Sequence, residues 1–120
     1  MRFAHAIFLI LSLLFLSAAL LPEQAEARGS ATSIGGKPAR WCGWWMRTQK
    51  GGGPEMNLAS NWSRWGRPSG PQVGAVVVWS HHVGIITGRT ASGWIVKSGN
   101  DGGRVRERQR SVSGAVFRVG

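Results

Sequence analysis

Cys42 is the only cysteine of the 120-residue chain, and His81 and His82, 39 and 40 residues further on, are the only histidines after His5. A thiol nucleophile needs a base to accept its proton, and histidine is the usual one near neutral pH. The chemistry these types offer is covalent: a thiolate attacks a carbonyl carbon while an imidazole moves the proton. A third polar group should orient the imidazole. Ser98-Gly99-Asn100-Asp101 offers two, the side-chain carbonyl of Asn100 and the carboxylate of Asp101. Plainer readings compete at each position. Most free cysteines are small buried hydrophobes, a histidine at a strand end is often solvated, and Asn-Asp-Gly-Gly is turn vocabulary. An intermolecular disulfide or a metal site at Cys42, His81 and His82 completes the alternatives, the metal being disfavoured because adjacent strand residues point to opposite faces.

These residues must be positioned by the elements around them. Pro38 can open a helix, Trp41 to Lys50 contains no breaker except Gly43, and Gly51-Gly52-Gly53-Pro54 is a strong stop. The spacing predicts a helix with Cys42 in its first turn. There the positive end of the macrodipole favours a thiolate, and first-turn amides can donate to an oxyanion. Arg40 and Arg47 are expected to add positive potential. Leu58, Trp62 and Trp65 lie at helical spacing and predict a second short helix over 57–66. Pro68 to Pro71 reads as a loop.

The period then changes. Five strands are predicted, over 74–79, 82–87, 94–97, 104–108 and 115–119, separated by Gly- and Ser-rich turns. Helices followed by a run of strands argue an α+β fold with an antiparallel sheet. Alternation groups His82, Gly84 and Ile86 on one face and Val83, Ile85 and Thr87 on the other. Gly84 would leave room beside His82 for an approaching helix, while His81 falls in the turn.

The N-terminus reads as an export signal. Met1-Arg2 is basic, Ile7 to Leu21 is almost wholly apolar, Pro22 breaks the run, and Ala25-Glu26-Ala27 is a small-x-small cleavage site. The expected organisation is a signal peptide over 1–27, a flexible Gly/Ser/Ala-rich leader over 28–40 and one domain over 41–120, in a periplasmic or secreted product. Cleavage would remove Arg2, Glu23 and Glu26 and leave 14 basic and 3 acidic residues, a net charge of +11. Such a field attracts polyanions. With no second cysteine to pair within the chain, the seven tryptophans are expected to supply most of the core. In an oxidising compartment an odd cysteine argues for reactivity.

The ordered set Trp41-Cys42, Ala59-Ser60-Asn61-Trp62, Pro71-x-x-Gly74-Ala75-Val76-Val77-Val78-Trp79, His82-Val83-Gly84-Ile85 and Ser98-x-Asn100 resembles the CHAP and NlpC/P60 group of papain-like cysteine peptidases and amidases. The resemblance spans about Trp41 to Val119, and its most specific part runs from Pro71 to Ile85. It implies a papain-like fold with N-terminal helices on a small antiparallel sheet. It also implies Cys42 as nucleophile, His82 as general base and Asn100 as the orienting residue, with Trp41, His81 and Ser98 as substrate-binding positions. The implied reaction is hydrolysis of amide bonds in peptidoglycan or its peptide fragments by a monomer, with no cofactor or metal and no nucleic acid. Two positions depart from the pattern: Ser98 stands where CHAP domains often carry glutamate, and His81 where they usually carry glycine. The other function class is a catalytically degenerate binding module for anionic envelope polymers. Arg104, Arg106, Arg108 and Arg110 at strand spacing would serve it, or would simply protect a solvated edge strand.

Overall fold

The unbroken apolar run Ala75–Trp79 contains a strand buried on both faces. In the computed structural model, which describes residues 34–120, Val76 and Val78 face one hydrophobic cluster while Ala75 and Val77 face another. The expected signal peptide and the larger part of the leader lie outside the described residues. Helix α1 spans Cys42–Lys50, and two 3₁₀ turns follow at Pro54–Asn57 and Ala59–Arg64. Six strands come next: β1 Arg67–Ser69, β2 Val76–Val78, β3 Val83–Arg89, β4 Trp94–Ser98, β5 Arg106–Arg110 and β6 Val116–Val119. They form one sheet in the order β1-β6-β2-β3-β4-β5, with every pairing antiparallel. The fold is α+β, as the order of segments predicts.

The helical layer covers one sheet face. Cys42, Trp45 and Met46 of α1, with Ala59 and Trp62, pack on Val76, Val78 and Val83. The other face buries Ala75, Val77, Ile86 and Val96, flanked by Trp79, Trp94 and Phe117. All seven tryptophans pack against one cluster or the other. At about 150–250 Å² of buried surface each, they account for how a domain without a disulfide holds together. Among the described residues no helix is long and apolar enough to cross a membrane.

Three elements differ from the sequence expectation. The helix expected over 57–66 is a pair of 3₁₀ turns, because Leu58 between them is extended (φ −78°, ψ 117°) and 60% exposed. Leu58 therefore contributes nothing to the apolar stripe its spacing suggested. Pro68 lies in a strand rather than a loop. β1 is an edge strand paired only with β6, and proline is tolerated where one side needs no ladder bond. Gly84 makes room for β4, not for a helix: a Cβ there would lie 2.7 Å from Val96 Cγ1 and 3.0 Å from Ser98 Cβ.

Candidate active site

Cys42 is the first residue of α1, preceded by Trp41 at the N-cap with no side-chain cap, and the first turn carries no acidic residue. A helix start leaves its first N–H groups without partners inside the helix. Cys42 is 5% exposed and forms one wall of a cleft of about 350 Å³ that Arg40, His81, His82 and Asn100 also line. The three residues expected to be catalytic, Cys42, His82 and Asn100, are thus on one cleft.

The loop after β4 gets there because Gly99 has no side chain. A Cβ at Gly99 would collide with Trp45 Cβ and lie 2.9 Å from Trp41 Cζ3. The loop therefore runs against the first turns of α1 and carries Asn100 to the cleft. Asn100 has φ 53°, the left-handed region that asparagine tolerates better than other side chains.

His82 sits at the end of the tight β2–β3 connection, where Trp79 N–H donates to His82 O at 2.9 Å. Its Nε2 is 2.8 Å from Ser98 Oγ, a hydrogen bond whose direction depends on the tautomer. Its ring centroid is 5.8 Å from that of Trp79. The orienting contact expected of Asn100 is thus made by Ser98. Ser98 in turn is wholly buried and so is not a substrate-binding surface, contrary to expectation. Its hydroxyl matches the polar requirement but not the carboxylate of the family pattern. Trp41 packs on the core and against Gly99, with Lys37 Nζ 4.5 Å from its ring centroid, rather than lining the cleft. His81 is exposed and lines the cleft.

The electrostatics come from a source that spacing only half revealed. Asp101 is buried and held by Arg108, whose Nε and Nη2 donate at 2.7 and 2.9 Å. Arg110 and Arg106 lie 3.8 and 4.0 Å from the same carboxylate. Alternation put these arginines on one face. The signal available in the sequence was the shortage of acids, since Asp101 is one of three after residue 27. The hydrogen bond from Arg108 holds the Asp101 carboxyl below its ordinary range. Asp101 is therefore committed to arginine and does not orient His82. Burial, and then the Arg110 charge, lower the pKa of His82 below its ordinary 6.5, against a smaller opposing pull from Asp101. Both effects favour the neutral imidazole.

Arg47, expected to bias Cys42, is turned to the far end of α1. It is buried and donates to Gly52 O at 3.1 Å and Asn57 Oδ1 at 2.9 Å. Arg40 supplies the positive charge at the cleft instead. Among the described residues no group of three or more His, Cys, Asp or Glu side chains is placed to hold a metal ion.

Ser98→Ala is expected to destabilise the domain by about 1–3 kcal/mol, because it strips a partly buried imidazole nitrogen of its partner. Asn100→Gly, which suits the positive φ, is expected to cost nothing measurable. Urea unfolding of both variants checks the pair, and the reverse order would return the orienting role to Asn100.

Comparisons of the chain with protein-family models, with curated proteins and with solved structures found no match.

Proposed function

We propose that the chain is an exported, papain-like cysteine hydrolase of the CHAP and NlpC/P60 type that cleaves amide bonds in peptidoglycan, as an endopeptidase or an N-acetylmuramoyl-L-alanine amidase. The observation that carries the reading is the shared cleft: a thiol at a helix start and a histidine held from behind by a buried hydroxyl. The motif resemblance supplies the substrate, and the charge of the exported chain suits an acidic envelope.

In this reading His82 Nε2–H donates to Ser98, which leaves the Nδ1 lone pair for the cleft. Nδ1 takes the proton of Cys42 as Sγ bonds to the substrate carbonyl carbon. The carbonyl electron pair moves onto oxygen, where first-turn amides of α1 stabilise it. Collapse breaks the C–N bond, and the leaving amine takes the proton from Nδ1. Water then attacks the thioester with His82 again as base, and the thiol is regenerated. Asn100 and Arg40, on the walls of the cleft, hydrogen-bond and charge-pair the substrate peptide.

The test is release of new amino groups from purified peptidoglycan. His82→Ala is expected to lower kcat/KM by roughly 10²–10⁴, and His81→Ala by much less. The reverse would move the base to His81. The acid limb of the wild-type pH profile has a defined sign. Burial and Arg110 favour the neutral base, so activity should persist as pH falls past 6.5 and be lost only below it. Arg110→Ala should move that limb upward. A limb above 6.5 in the wild type would contradict the geometry.

The second reading, a degenerate cationic module that binds anionic envelope polymers, is favoured by the arginines gathered on β5. Salt-sensitive wall binding with no amine release would decide for it.

A further inference from the structure

A second cleft, of about 480 Å³, opens where β4 and β5 meet the chain following β5. Ser92, Trp94, Gln109, Arg110, Ser111 and Ser113 line it. No acid does. Ser92 Oγ accepts a hydrogen bond from Gln109 Nε2 at 3.2 Å, and Ser111 Oγ accepts one from Ser113 N–H at 3.2 Å. A hydroxyl that accepts still has its own proton to give. The walls are therefore rich in donors, with one cation among them and one aromatic ring, Trp94, which has the Arg89 guanidinium over one face at 4.9 Å from its centroid and only the other face for a ligand.

That cation is short of counter-charge. Arg106, Arg108 and Arg110 share the single carboxylate of Asp101, which leaves two positive charges uncompensated. Burial also holds Arg110 below its usual guanidinium range. Arg110 shares Asp101 at 3.8 Å and keeps 26% of its side chain exposed, so an anion bound here would add the counter-charge it has only in part. The volume suits a small ligand. Hydroxyl and amide donors, a guanidinium and an aromatic wall match an acceptor-rich molecule with an apolar ring face.

We propose that this cleft binds a carboxylate-bearing saccharide unit, with its carboxylate on Arg110, its hydroxyls on the serines and Gln109, and its ring against Trp94, and that Arg110 transmits the bound charge to His82. The path is physical. The Arg110 guanidinium stands 4.6 Å from the Trp79 ring centroid, and that ring lies 5.8 Å from His82. The groups that face His82 are Cys42 and Arg40 at the start of α1, His81 beside it, Asp101 after β4, and Arg108 and Arg110 on β5. Of these, Arg110 alone also lines the second cleft. Burial lowers the pKa of His82 most and the Arg110 charge next; a carboxylate there offsets the second effect, so the imidazole titrates at higher pH when the site is filled.

The test uses glucuronate as probe and NMR titration of the His82 imidazole in the full protein. Glucuronate should raise the His82 midpoint saturably. Acetate should do so more weakly, and glucose should leave it where it is. A shift that does not saturate, and that sodium chloride reproduces at equal ionic strength, is screening alone and overturns the site. Acetate binding as tightly as glucuronate overturns the saccharide assignment. Gln109→Ala and Ser111→Ala should each weaken glucuronate by ~5-fold, the net worth of one hydrogen bond. Unchanged affinity in both overturns the assigned contacts. Arg110→Gln should abolish the response; if that variant does not fold, the two neutral-residue variants still decide. The readout is the imidazole itself, so it can fail or succeed independently of hydrolysis. Only an effect of binding on rate rests on the proposed function.

Discussion

Cys42→Ala is expected to lower amide hydrolysis by roughly 10⁴–10⁶ in kcat, the scale on which removing a nucleophile acts in triad enzymes. No other group on the cleft can form the thioester: Arg40, His81, His82 and Asn100 are its remaining lining residues. The fold should survive, because the change removes one sulfur from the rim of a core held mainly by Trp45, Met46 and Trp62. Thermal unfolding should shift by a few degrees, corresponding to about 1 kcal/mol in a domain of this size. Cys42→Ser separates packing from chemistry, since the hydroxyl fills the space but is a far weaker nucleophile. The measurement is amine release from peptidoglycan beside melting curves of all three proteins. Residual activity within tenfold of wild type in Cys42→Ala would end the reading of Cys42 as the nucleophile. Loss of activity and of the folded signal in Cys42→Ala, with Cys42→Ser folded and fully active, would show that the thiol matters only as packing.

Cys42 was legible as a candidate because scarcity marks it. One thiol, one pair of histidines and a helix start can be read along the chain. The partner of the histidine was not, because it depends on contacts across strands. Ser98 reaches His82 only because Gly84 has no Cβ to keep it away and because β4 pairs with β3 with Lys97 opposite Ile85. A serine at a strand end gives no sign of that in sequence. Asn100 was the more natural choice for its hydrogen-bonding capacity, but its left-handed backbone belongs to the loop that carries it onto the cleft wall. The fold divides in the same way. Val76–Val78 declared itself by continuous apolar character, which a strand covered on both faces requires. β1 hid behind Pro68, since its only partner, β6, comes some fifty residues later at Val116–Val119.

The arginines of β5 show how one pattern can serve two ends. Their spacing suggests either a charged edge or a binding face. β5 is indeed an edge strand, paired only with β4. Yet Arg106, Arg108 and Arg110 converge on Asp101, three residues beyond the serine that holds His82. The edge strand therefore braces the loop of the candidate site while it sets the potential there. A surface ion pair adds little to stability. The larger consequence of this cluster is electrostatic, because it places Arg110 where its charge adds to burial in lowering the pKa of His82.

Trp62→Ala is expected to be the most destabilising single change in the domain, at about 3–5 kcal/mol. The side chain is fully buried between the 3₁₀ turns and the sheet. Its Nε1–H donates to Met56 O at 2.8 Å, so truncation opens a cavity and also strands a carbonyl. Native domains hold only about 5–15 kcal/mol in all, and one of this length has little surplus. Trp62 also stacks at 5.7 Å on Trp65, whose backbone carbonyl accepts from Arg118 Nε at 2.6 Å and so ties the helical layer to β6. Trp62→Phe keeps most of the apolar contact but loses the hydrogen bond, and should cost about 1–3 kcal/mol. Urea unfolding with an unchanged m-value measures both. A Trp62→Ala cost no greater than that of Trp62→Phe would show that the hydrogen bond both variants lose, not the buried ring, is what the second 3₁₀ turn depends on. The expected order has a consequence for the site as well. Cys42 and Met46 share the cluster with Trp62, so the alanine variant should lose activity at temperatures where Trp62→Phe still holds α1 against the sheet.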